Sequence, residues 1–106
     1  MIVYIAGKMT GLPDLGRYAF HRARVMLEHQ GHTVLNPADL PTGLPKAAYM
    51  PICMTMIETA DAVYLLKGWE DSPGAQVEKA YAEYQGKRIL YERRPGDAEI
   101  CESAED

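Results

Sequence analysis

Glu78 stands in the stretch SPGAQVEKA (72–80), where the residues before it leave space for chemistry. Ser72 followed by Pro73 offers an N-cap and a proline at the first helical position, where a missing N–H costs nothing. The spacing therefore predicts a helix that begins at Ser72. Side chains on a helix lean towards its N-terminus, so Glu78 reaches back over Gly74 and Ala75 and its carboxylate faces open space. The unpaired N–H groups of a first turn favour an anion, so one small volume can hold an ionised glutamate beside an anionic ligand. A solvated helix glutamate is the plain alternative; the small residues Ser72, Gly74 and Ala75 argue for a site. With Tyr4 and Trp69 nearby, the arrangement suits a nucleoside or nucleotide, whose base stacks on aromatic rings and whose phosphate takes backbone N–H groups. A glutamate facing the sugar carbon can attack it through an oxocarbenium-like transition state.

The elements that must position these residues follow from the apolar pattern. Ala62 to Leu66 is a short continuous apolar run, which is how a strand buried on both faces of a parallel sheet reads. Ile2 to Ala6 is a second such strand, and His32 to Leu35 and Ile89 to Tyr91 are two shorter ones. GKMTGLPD (7–14) cannot continue the first strand and forms a loop. Asp14 is expected to cap a helix with Leu15, Ala19, Ala23, Met26 and Leu27 on one face and Gly31 as its stop. Met50, Met54 and Ile57, with Cys53 and Met56 beside them, mark another helix, expected to start within a residue or two of Pro51. Val77, Ala80, Tyr81 and Tyr84 repeat at helical spacing after Ser72, with Gly86 as terminator. The alternation β-α-β-α-β-α-β implies a three-layer α/β fold of flavodoxin or Rossmann type. Its four-stranded parallel sheet has order 2-1-3-4, right-handed crossovers and helices on both faces. First and third strands are then neighbours, and their loops part at the topological switch point. This puts Tyr4, Gly7, Lys8, Trp69, Ser72 and Glu78 around one crevice.

The 106 residues fit one domain, 1–92, followed by an acidic tail, 93–106, that has no period and is expected to be flexible. Net charge is −4, yet the tail from Pro95 holds Asp97, Glu99, Glu102, Glu105 and Asp106 and no base. The rest carries eleven bases against ten acids. Neither part has the basic face that a nucleic-acid polymer demands. Cys53 and Cys101 lack metal-ligand spacing, and Met1 leads straight into a strand-like run. A reduced, cytoplasmic protein with no metal or cofactor is expected. No apolar run approaches the about 20 residues of a membrane span. The methionine-rich second helix can bury its face against a copy of itself, which predicts a homodimer or larger symmetric assembly. Tyr64, Tyr81 and Tyr84 read as core or interface, and Cys53 as a buried, small, apolar residue.

IVYIAGKMTG (2–11), ADAVYLLKGW (60–69) and the S-P-G-A-x-x-E pattern (72–78) resemble the nucleoside 2-deoxyribosyltransferase-like superfamily, over roughly residues 1–92. The resemblance implies that Glu78 is the glutamate that attacks the anomeric carbon of the deoxyribose and that Tyr4 positions it. It further implies that Ser72 contacts a phosphate, as in the deoxynucleoside monophosphate N-hydrolases. The loop from Gly7 to Gly11, with Lys8 and Thr10, would line the sugar-phosphate site. Two positions depart from the pattern. Cys53 stands where many members carry an aspartate that protonates the leaving base or holds the sugar. Thr10, beside Lys8, stands where the N-hydrolases carry a phosphate-binding arginine. A thiol does not replace a carboxylic acid, and lysine lacks the bidentate fork of arginine.

Two functions follow. The first is cleavage or transfer of the N-glycosidic bond of a 2-deoxynucleoside or its 5-monophosphate, with Glu78, Tyr4 and Asp61 catalytic. Gly7, Lys8, Thr10, Gly11, Trp69, Ser72, Gly74 and Ala75 would bind substrate. The second is a sensor or sequestering protein that holds a nucleotide in the same crevice without turnover. Asp61, just before the central strand, is as well placed to orient backbone as to touch ligand.

Overall fold

Every residue of the central strand β3 (Ala62–Leu65) is buried, as its unbroken apolar run requires. The computed structural model describes residues 1–93 and the backbone of 101–102. On one side β3 pairs in parallel with β1 (Ile2–Ala6), Val3 opposite Ala62 and Ala6 opposite Leu65. Beyond β1 lies β2 (Thr33–Leu35), and on the other side of β3 lies β4 (Arg88–Tyr91), both parallel. The order 2-1-3-4 is the one expected from the alternation of strands and helices. A short fifth strand, β5 (Cys101–Glu102), joins β4 antiparallel and extends the sheet by one strand. Residues 94–100 and 103–106, where the rest of the expected flexible tail falls, lie outside the described residues.

Alternation along the strands divides the core in two. Val3, Ile5, Ala62, Tyr64, Leu66 and Leu90 face helix α1 (Arg17–His29) and meet its Phe20, Ala23 and Leu27. Tyr4, Ala6, Val63 and Leu65 face helices α2 (Lys46–Thr59) and α3 (Pro73–Tyr84), where Cys53, Ile57 and Ala82 complete the layer. Each fully buried Leu, Ile or Phe side chain contributes roughly 1.5–3 kcal/mol. With α1 on one face and α3 on the other, the loops after β1 and β3 diverge at the carboxyl ends of two neighbouring strands. In open α/β sheets this is where a ligand crevice forms.

Three local expectations are corrected. Asp14 does not cap α1: it sits in a 3₁₀ turn (Pro13–Gly16) with φ 54°, and Gly16 is the N-cap. Leu15 therefore lies outside the helix and is 40% exposed, while Phe20 takes its place in the core. α2 begins at Lys46, ahead of the expected start, and holds the exposed Pro51 in its interior at the cost of one backbone hydrogen bond. On α3 the stripe Val77, Ala80 and Tyr84 faces outwards, Val77 47% and Tyr84 85% exposed, whereas Ala75, Glu78 and Ala82 face the sheet. Periodicity located the helix but not the side it buries. Among the described residues no helix is long and apolar enough to cross a membrane.

Candidate active site

Ser72 is the N-cap of α3 and Pro73 its first residue; the Ser72 Oγ accepts from the Ala75 N–H at 3.1 Å. That bond fixes the first turn, so Glu78, one turn further on, projects beneath the helix towards β1. Its carboxylate meets Tyr4, whose hydroxyl donates to Oε2 at 2.9 Å. Cys53 reaches the same place from α2, close enough for its thiol to act on the ionisation of both. Three polar side chains from a strand and two helices thus converge in an otherwise apolar layer. Glu78 is only 8% exposed, so its carboxylate lies within the core layer against Tyr4 and not in open space as the lean of the helix predicts.

Burial governs the electrostatics. Removal from water disfavours the charged form and pushes the Glu78 carboxyl up to about 7; the hydrogen bonds from Tyr4 and then Cys53 pull the other way. The Tyr4 hydroxyl is raised well above its ordinary range, first by burial and then by the neighbouring carboxylate. Burial also raises the Cys53 thiol. Near neutral pH the cluster therefore holds one partly ionised carboxylate with two protonated donors on it. Such a group can attack an electron-poor carbon or exchange a proton at neutral pH. Among the described residues no group of three His, Cys, Asp or Glu side chains could hold a metal ion.

Of the expected site residues, Tyr4 and Glu78 are in contact, and Ser72, Gly74 and Ala75 form the helix tip above them. Ala75 is buried and its N–H is taken by the Ser72 Oγ. A Cβ on Gly74 would come 3.9 Å from Met50 Cε, which brings α2 to the tip as a further wall. Gly7, Lys8, Thr10 and Gly11 follow β1 on the crevice side. A Cβ on Gly7 would lie 3.0 Å from Leu66, so only glycine lets the β1 loop leave the sheet so close to β3.

Two residues stand elsewhere. Trp69 packs on Tyr91, ring centroids 6.1 Å apart, with the Lys79 ammonium 5.5 Å from its ring. Tyr91 belongs to β4, two strands and about 9–10 Å from β1, so Trp69 sits on the β4 side of α3, at the edge of the core layer that holds Tyr4 and Cys53. Asp61 lies at the amino end of β3, where its Oδ2 accepts from the Ile2 N–H at 2.8 Å and its backbone N–H donates to the Ile2 carbonyl. A strand length, about 13 Å, separates it from the carboxyl-end crevice. Its role is to align β1 with β3.

Met50 lies at the site although its residue type gave no sign of it, and Cys53 lies there at the position where the resemblance implies an aspartate. The spacing of Met50, Cys53 and Ile57 does put them on one helix face. That this face meets Tyr4 and the α3 tip is a matter of packing alone.

Residues 1–91 match the model of a family described as a domain of unknown function, DUF4406. No curated protein matches the sequence. Among solved structures the chain is similar to the CMP N-glycosidase of Clostridium botulinum, with 19% identity and a TM-score of 0.64, covering 86% of this chain and 67% of that one. It is similar to the 2-deoxyribosyltransferase of Bacillus psychrosaccharolyticus, with 18% identity and a TM-score of 0.67 over 86% and 71% of the two chains. A deoxyribosyltransferase of Leishmania mexicana has 24% identity and a TM-score of 0.70, over 85% of this chain and 62% of its own. These likenesses establish the fold; this chain spans about two thirds of the length of each.

Proposed function

The chain belongs to the DUF4406 family, and from the site it carries we propose that it cleaves or transfers the N-glycosidic bond of a 2-deoxynucleoside or its 5-monophosphate. The observation that carries this reading is the buried Glu78 carboxylate, held by Tyr4 under a helix tip at the switch point of the sheet. The solved structures with this fold include an N-glycosidase and two deoxyribosyltransferases, which supports it.

In this mechanism Glu78 Oε attacks the anomeric carbon while the C–N bond breaks and its electron pair leaves with the base, which takes a proton. Water or a second base then attacks the glycosyl ester and returns the carboxylate. Tyr4 holds Oε2 so that the carboxylate keeps its orientation. The Ser72 hydroxyl and the loop with Lys8 and Thr10 receive the sugar-phosphate end. Because the attacking form is the carboxylate, kcat/KM rises with pH through about 7.

The cluster also favours a second reading. Glu78 meets a phenol and a thiol, and Asp61 stands at the far end of β3, so among the described residues the leaving base lacks an evident acid. A protein that binds the nucleotide without turnover would tolerate this. Incubation with each deoxynucleoside and deoxynucleoside monophosphate, followed by chromatography for free base, separates the two. Release that Glu78→Ala abolishes supports the enzyme; binding without release supports the sensor. A homodimer or larger symmetric assembly through the methionine-rich α2 is tested by light scattering at several concentrations.

A further inference from the structure

We infer that Glu92 is a positioning residue that ties the β3–α3 loop, and with it the tip of α3, to α1; the inference rests on the site proposed above. Glu92 follows β4 directly and is 6% exposed. Its backbone N–H donates to the Leu65 carbonyl at 2.9 Å, and its side-chain Oε1 accepts from the Lys67 N–H at 2.9 Å. One residue thus closes the β3–β4 ladder twice, the second time with its side chain. The chain can leave the sheet at Lys67 without stranding that amide. The other oxygen, Oε2, lies 3.6 Å from Arg22 Nη2 on α1. Arg22 in turn lies over the Tyr18 ring, 5.4 Å from its centroid.

A carboxylate is costly to bury unless it is paired and hydrogen-bonded. Here its two oxygens have partners on different elements, and those elements bound the crevice. Lys67 opens the segment that runs through Trp69 to Ser72, the cap of the helix that carries Glu78. α1 follows the loop from Gly7 to Gly11 that forms the opposite wall. Glu92 therefore sets the distance between the two walls without touching a ligand, and small displacements of a reacting group have large kinetic effects.

Glu92→Leu keeps the side-chain bulk and removes both acceptors, while Glu92→Gln keeps an acceptor for Lys67 and removes the charge. Amide hydrogen exchange by NMR reads the clamp, and steady-state base release reads the site. In the leucine variant the Lys67 amide is expected to exchange about tenfold faster or more, and kcat to fall about 10- to 100-fold with little change in KM. The glutamine variant is expected to keep the Lys67 protection, since its amide oxygen still accepts there, and to lose a smaller part of kcat than the leucine variant, since its NH2 group no longer pairs with Arg22. A folded leucine variant with a protected Lys67 amide and unchanged kcat overturns the inference. So does a glutamine variant whose Lys67 amide is unprotected, whether or not the leucine variant folds. A wild-type protein that releases no base overturns the proposed reaction instead, and the exchange measurements then decide the clamp by themselves.

Discussion

The Tyr4 hydroxyl and the Glu78 carboxylate lie 2.9 Å apart although seventy-four positions separate them in the chain. The contact joins the first strand to the last helix and places a donor on a carboxylate that burial would otherwise neutralise. The carboxylate is thus oriented from below by the sheet.

Glu78 makes folding stability fall as pH rises. Its folded value of about 7 is above the ordinary 4.5, so between these pH values the folded state keeps a proton that the unfolded state has lost. The contribution is complete below about 4.5 and is lost as pH rises through about 7, amounting to about 3 kcal/mol at 1.36 kcal/mol per unit. Urea titrations at several pH values should show the decline in the wild type and a flatter curve in Glu78→Gln.

Tyr4→Phe removes the donor and retains the ring. The hydrogen bond favours the charged carboxylate, so without it the alkaline-rising limb of kcat/KM moves to higher pH, by about one unit. A pH profile of base release checks this. An unmoved limb would mean that the phenol does not act on Glu78.

Cys53→Ala shifts the same limb in the same direction and by less, since Tyr4 has the larger effect on Glu78. Cys53→Ser retains a donor and restores the wild-type profile. The buried thiol, raised above its ordinary range, should resist alkylation in the folded protein and react once it unfolds, which peptide mapping by mass spectrometry can follow.

Asp61→Ala costs about 1 kcal/mol, the worth of the bond from the Ile2 N–H. It leaves kcat for base release unchanged, because the residue stands at the other end of β3. Denaturant midpoints and steady-state rates, measured side by side, test both halves.

Much of the architecture was legible because its signals are local. The unbroken apolar runs from Ile2 to Ala6 and from Ala62 to Leu66 marked buried parallel strands, and Ser72–Pro73 marked the start of α3. Strand order followed from the alternation of elements and the hand of crossovers. Signals were misread where two local preferences competed. Asp14 looks like a cap, yet the chain uses left-handed Gly16 there. Pro51 looks like a helix start, yet α2 carries it inside.

Residue type and helical lean alone assigned chemistry to Glu78 and placed it over small residues at a helix tip. Its partners were a different matter. Whether α3 turns Glu78 or the apolar Val77 and Tyr84 towards the sheet depends on how much room α2 leaves, and the small Ala75 and Ala82 proved to be the residues that fit. The same packing carried Cys53 to the carboxylate, Trp69 onto Tyr91 and Glu92 under the loop. Sequence sets what each segment can become, because its hydrogen bonds and periodicity are local. Which faces meet is decided only when every segment competes for the same interior volume.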